Sequence, residues 1–160
     1  MEATPARTRG LTLERVRFLF AAAVALAGCT SSAPATPVPG SDLVIPTAVP
    51  NGRVEVALKR GYTVGETVRA TIRLLPASGT LRGPLGPFIQ ASGFHGTATV
   101  KHLAIAPITE HAGGVAIVDV SWDMRDDAGK AVGSDDYSLV FDVIDDAGRT
   151  TTVGATLQVR

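Results

Sequence analysis

Tyr137-Ser-Leu-Val-Phe-Asp-Val-Ile144, Asp145-Asp-Ala-Gly148-Arg149 and Thr150-Thr-Thr-Val-Gly-Ala-Thr-Leu-Gln-Val159 follow one another without a break. In the first stretch Tyr137, Leu139, Phe141 and Val143 alternate with Ser138, Val140 and Asp142. In the last, Val153, Ala155, Leu157 and Val159 alternate with Thr152, Gly154, Thr156 and Gln158. A period of two residues puts every second side chain on one face, so each stretch reads as a strand with that face against a core. Asp opens a turn well because its carboxylate can accept from backbone N–H groups further on. Gly148 supplies the positive φ that a type I turn with a bulge requires. The reading is a β-hairpin over 137–144 and 150–159.

The same alternation recurs upstream. Val54, Val56 and Leu58 form one set, and Val68, Ala70, Ile72 and Leu74 another. Ala98, Val100 and His102 form a third, and Ala116, Val118, Val120 and Trp122 a fourth. Helical periodicity is absent from this part of the chain. Short strands punctuated by Gly, Asp and Pro predict a sandwich or barrel rather than parallel βαβ units. About seven strands in 110 residues fit an all-β, immunoglobulin-like antiparallel β-sandwich over residues 51–160. The Asp145 turn has a near copy in Asp126-Asp-Ala-Gly129-Lys130.

The amino-terminal quarter has a different character. Arg7, Arg9, Arg15 and Arg17 precede an uninterrupted apolar run from Phe18 to Ala27, which ends in Leu26-Ala27-Gly28-Cys29. About 20 apolar residues are needed to span a bilayer as a helix, so this run is too short to remain as one. A basic start, a short apolar middle and small residues at the end mark an export signal. Leu26-Ala27-Gly28-Cys29 resembles the lipobox of bacterial lipoproteins. That resemblance implies removal of residues 1–28 and lipidation of Cys29, with the protein held by palmitate-like chains on the extracytoplasmic face of the cell membrane or outer membrane. Two or more acyl chains anchor a protein stably where one does not. Cys29 is the chain's single cysteine, so lipidation would also consume the free thiol of an exported protein.

Residues 29–50 are rich in Pro, Ser, Thr and Ala and read as a tether that buries no core. Within it, Asp42-Leu-Val-Ile45 has two readings, a patch of the tether or an early edge strand. After residue 28 the chain has 11 Lys and Arg against 13 Asp and Glu, a balance that argues against nucleic acid as a partner. The charge is uneven. Residues 53–101 carry seven basic and two acidic side chains, and residues 119–146 two basic and nine acidic. Either the segments neutralise one another across strands, or one face meets charged partners.

Trp122-Asp-Met-Arg-Asp126-Asp-Ala-Gly129-Lys130-Ala-Val132, followed by Tyr137, resembles a motif of the immunoglobulin-like domains of flagellar hook-cap proteins and BsuPI-type proteinase inhibitors. The resemblance covers some 40 residues and departs at Asp135-Asp136, where the family has a Gly. It implies the fold. Proteinase inhibition does not carry over, since no inhibitory loop matches residue by residue.

No catalytic grouping is legible. Ser92 lies in Gln90-Ala-Ser-Gly-Phe94, which lacks the first glycine of a nucleophile elbow. Phosphate-cradling and dinucleotide motifs are missing. The chain is therefore expected to be a non-enzymatic binding or structural module without a cofactor, engaging membrane lipid through Cys29 and an envelope protein or polymer through its domain. The alternative is metal binding. His95, His102, His111 and Met124 offer ligands for zinc or copper, and Asp123, Asp126 and Asp127 offer oxygens for calcium. A last candidate is the irregular stretch 79–96, with five glycines and two prolines. There Phe88, Ile89 and Phe94 either cap one end of the sandwich or anchor a partner.

Overall fold

The alternating stretches are strands, and they stack as two layers. A computed structural model describes residues 40–92 and 97–160. Among these residues the strands in chain order are β1 (Leu43–Val49), β2 (Gly52–Leu58), β3 (Gly61–Tyr62), β4 (Val68–Pro76) and β5 (Leu81–Ala91). They continue with β6 (Ala98–His102), β7 (Thr109–Glu110), β8 (Ala116–Trp122), β9 (Asp135–Asp145) and β10 (Thr150–Val159). The first sheet has the order β1-β2-β4-β8-β7 and the second β3-β10-β9-β5-β6. This is the expected all-β sandwich. Among the described residues it has ten strands rather than about seven, because β1 lies in the stretch read as tether and β3 and β7, only two residues long, leave no periodic signature. The β3–β10 pair is parallel, a departure from the expected antiparallel pattern.

The alternation sorts side chains as expected over most of the chain. Val54, Val56, Leu58, Ile72, Leu74, Val118 and Val120 of the first sheet meet Leu139, Phe141, Val153, Ala155 and Leu157 of the second in one buried core. Full burial of such a side chain is worth about 1.5–3 kcal/mol. The strand at 98–102 is the exception: Ala98 and His102 are exposed, because β6 is an edge strand outside the main overlap of the layers.

Two boundaries differ from the sequence reading. The stretch read as tether contains β1, which pairs with β2 from Leu43↔Leu58 to Val49↔Gly52. The domain therefore begins near residue 43 rather than 51, and the edge-strand alternative holds. Its prolines misled because each has a place in a hairpin. Pro46 sits on an edge strand, and Pro50 precedes Asn51, whose φ of 65° suits the third position of a type II turn.

The second difference is the stretch 79–96. Most of it is β5, an interior strand between β9 and β6. Register shifts at Arg82/Leu85 and Leu85/Phe88 are bulges, and they admit Pro84 and Pro87 without leaving the sheet. The bulges break the period of two, so the sequence shows no alternation there. Ile89 is buried in the core and Phe88 is half-buried, which makes them packing residues rather than a partner-binding loop. Phe94 and His95 lie outside the described residues, as do residues 1–39 with the export signal, Cys29 and the first part of the tether.

The hairpin around Gly148 is formed as read, from Thr150↔Ile144 to Val159↔Asp135. Gly148 has a φ of 77°, and a side chain placed there would meet no neighbour, so only backbone strain opposes substitution. Gly148→Val should cost about 1–2 kcal/mol, the left-handed penalty for a bulky residue. A chemical-denaturation midpoint that does not move would exclude this turn geometry.

Candidate functional site

The connection from β8 to β9 is built on its two aromatic ends. Trp122 Nε1 donates to the Arg125 carbonyl at 2.8 Å, and Tyr137 Oη donates to the Gly133 carbonyl at 2.9 Å. The rings meet edge to face with centroids 5.1 Å apart. Between them Asp126 organises the turn. Gly129 N–H donates to Asp126 O at 3.0 Å, and Lys130 N–H donates to Asp126 Oδ1 at 2.8 Å. The sister turn repeats this, with Gly148 N–H to Asp145 O at 3.0 Å and Arg149 N–H to Asp145 Oδ1 at 2.9 Å.

The second aspartate of each turn reaches a neighbouring element. Asp146 accepts from Asn51 Nδ2 at 2.9 Å, tying the turn to the β1–β2 hairpin. Asp127 fastens its turn to β6. Its N–H donates to Val100 O at 3.0 Å, its Oδ1 accepts from His102 N–H at 3.1 Å, and its Oδ2 lies 2.7 Å from His102 Nδ1. Lys101 Nζ stands 3.8 Å from the same carboxylate.

Several of the residues proposed as metal ligands are engaged in contacts within the protein. Asp123 accepts from Arg125 N–H, Asp126 holds its turn, and Asp127 pairs with His102. Met124 is 1% exposed inside the core, where its Sδ accepts from Gly65 N–H at 3.3 Å. His111 is exposed, and its N–H donates to Val115 O at the end of β7. Among the described residues no three His, Cys, Asp or Glu side chains come together in a way that could hold a metal ion. Ser92 Oγ bonds to Asp136 O and to Ser138 Oγ, a structural tie between β5 and β9.

The Asp127 carboxyl is held below the usual range, first by the His102 ring and then by the His102 N–H, with Lys101 adding to both. Asp145 is lowered too, chiefly by the Arg149 N–H and next by its guanidinium, against an opposing effect of burial. An unfolded aspartate titrates near about pH 4. A lowered folded value means that the stability from each group is present above about pH 4 and is lost as the pH falls through the folded value. Melting temperature followed from pH 6 down to pH 2 should fall less steeply for Asp127→Asn than for the natural chain. Parallel slopes would remove Asp127 from the acid response.

A broad concavity lies on the outer face of the first sheet. It has a volume of about 800 Å3, and its floor includes Ala57, Arg69, Thr71, Asp119 and Ser121 of β2, β4 and β8. Ala104 and Ala106 form one wall, with Lys59, Tyr62 and Glu66 at the rim and Gly40 and Ser41 where the chain enters β1. Within it Lys59 Nζ bonds to Glu66 Oε1 at 2.5 Å and lies 5.1 Å from the Tyr62 ring centroid. The pairing raises the Lys59 pKa and lowers that of Glu66. Burial raises the Tyr62 phenol, whose hydroxyl donates to Arg69 O. Asp119 accepts from Thr71 Oγ1, whereas the Arg69 side chain has no ion partner among the described residues.

The wall belongs to Leu103-Ala-Ile-Ala-Pro-Ile108, which carries the chain from β6 to β7. Leu103 packs on the core, but Ala104, Ile105, Ala106, Pro107 and Ile108 are all exposed. Ile105 is 41% and Ile108 45% exposed, and Val44, on β1 opposite Ala57, is 43% exposed. Sequence reading missed this strap. Its signal was an unbroken apolar run closed by a proline, without the alternation that would bury it.

Part of the uneven charge is paired at short range. Glu55 is held between Arg53 and Arg73, Asp145 pairs with Arg149, and Asp136 with Arg160. Lys101 and His102 against Asp127 join the basic and acidic segments directly. The site thus defines a β-sandwich with an open, mixed polar and apolar cleft on one sheet. No protein-family model matches the sequence, and no curated protein matches it.

Proposed function

We propose that this chain is an exported protein held on the outer face of a bacterial membrane by lipid on Cys29, with a β-sandwich that serves as a non-catalytic binding module. Its partner would be an envelope protein or polymer, taken into the cleft beside residues 103–108. The cleft carries this reading: an arginine with no ion partner among the described residues, hydroxyl and carboxylate groups and an exposed apolar strap surround one concavity. A few placed polar groups on an apolar background are what orient a ligand. The basic start, the apolar run and Leu26-Ala27-Gly28-Cys29 support the anchor. The likeness of residues 122–137 to hook-cap and BsuPI-type domains also suits an extracytoplasmic binding domain, since Trp122 and Tyr137 close the same connection that the motif spans.

Two measurements test the reading. Cells fed radioactive palmitate should label the protein, and Cys29→Ala should abolish the label. A photo-crosslinking residue in place of Ser121 should trap a discrete adduct in intact cells. Arg69→Glu and Ala106→Arg should each reduce that adduct at least about fivefold while leaving the circular dichroism spectrum unchanged. An adduct that ignores both substitutions would remove the cleft from the proposal.

A further inference from the structure

Unpaired strand edges attract other strands, and proteins guard them with proline, charge, bulges or covering segments. Three edges of this sandwich are guarded in that way. On β1, Val49 and Gly52 close a two-residue loop. In an antiparallel ladder successive residues point their N–H and C=O groups alternately to the two sides. Thr47 and Ile45 therefore bond to β2, while Val44, Pro46 and Ala48 face outward. Pro46, at the centre of that edge, has no N–H to offer. The β6 edge is covered by the Asp127 turn through Val100 and His102. The open part of β8 beyond Ile117 carries the charge of Asp119 and lies beside the 103–108 strap.

Among the described residues the β10 edge has none of these devices. Asp145 N–H donates to Arg149 O, so the odd-numbered residues of β10 face β9. Gln158 N–H, on the other side, donates to Arg60 O in the connection leading to β3, which agrees with that phase. Thr150, Thr152, Gly154 and Thr156 therefore aim their N–H and C=O groups away from the sheet, and all four residues are exposed. β3 covers only Gln158 and Val159. From 150 to 158 the strand has no charged residue, no proline and no register shift.

We propose that this edge is a self-association surface, at which two copies of the chain pair antiparallel through residues 150–156 about a twofold axis at Val153. The two five-stranded sheets then become one sheet of ten strands. The window suggests a second copy as occupant because it is symmetric. It runs from the hairpin turn at Arg149 to β3, and the pairing about Val153 fills it without overlapping either. Thr150 falls opposite Thr156 of the second copy, and Thr152 opposite Gly154. Every outward pair is thus uncharged, and identical strands meet without like-charge repulsion.

Sedimentation velocity of the purified full-length chain in density-matched detergent should show a concentration-dependent monomer–dimer equilibrium. Thr150→Lys with Thr156→Lys places like charges directly opposite one another at two sites and should raise the dimer Kd roughly tenfold or more. Thr150→Lys with Thr156→Glu in the same chain opposes unlike charges and should restore dimerisation. Both pairs lie on the solvent face of the single copy, and melting curves establish that each variant is folded. A chain that is monomeric at every concentration overturns the proposal and leaves the edge to a segment of another protein. A dimer indifferent to both pairs of substitutions overturns it as well.

Discussion

Trp122→Ala is expected to destabilise the domain by about 3–5 kcal/mol, the usual cost of removing a large aromatic from a packed core. Trp122 is 2% exposed, packs edge to face on Tyr137, and donates its indole N–H to the Arg125 carbonyl. Truncation therefore removes core volume, one aromatic contact and the bond that starts the 123–134 connection. For a domain of this size each kcal/mol lowers the melting temperature by roughly 4 °C, so the variant should melt far below the natural protein or fail to fold. Trp122→Phe retains most of the volume and loses the N–H, and it should fall between the two. Calorimetry on the three proteins gives the order directly. A Trp122→Ala variant that melts within a few degrees of the natural chain would mean that Trp122 does not hold this end of the core.

Gly52→Ala is the second large effect. Gly52 ends the β1–β2 hairpin opposite Val49 and also faces Pro76 of β4. A β-carbon there would collide with the Leu75 carbonyl oxygen and come 2.9 Å from Pro76 Cα and 3.0 Å from Leu81 Cδ1. Two of these three neighbours are backbone atoms, which cannot swing away as a side chain can. Overpacking of this kind costs about 1–3 kcal/mol, occasionally more. Gly61→Ala is the matched control, since nothing lies within 4 Å of a β-carbon at that site and its φ is not positive. Removing a glycine there should leave stability unchanged or raise it by about 0.4–1 kcal/mol through a less disordered unfolded chain. Urea midpoints for the pair should therefore move apart. Equal midpoints would show that the hairpin does not approach β4 so closely.

The candidate cleft shows how far residue patterns reach. Arg69, Thr71, Asp119 and Ser121 are recognisable in the sequence as the outward members of alternating strands. That they share one floor follows from the β4–β8 register, in which Arg69 faces Ser121 and Thr71 faces Asp119. Register is a long-range property, and no local signal in either strand encodes it. The proposed ligand residues show the converse. Met124 looks like an available thioether in the sequence, but the turn at residue 124, with its φ of 56°, directs it into the core.

The sequence by itself determined the strand class of the chain, the hairpin around Gly148, the Asp–Gly turns and most of the core face. These depend on the period of two and on turn chemistry, which neighbouring residues set among themselves. Tertiary structure alone decided that prolines 46 and 50 belong to a hairpin and that the glycine- and proline-rich stretch at 81–91 is an interior strand. It also decided that Asp127 locks β6 and that the outer edge of β10 from 150 to 156 has no partner strand among the described residues. Each of these depends on which strand lies alongside, and that choice is made by burial and hydrogen bonding between residues far apart in the chain.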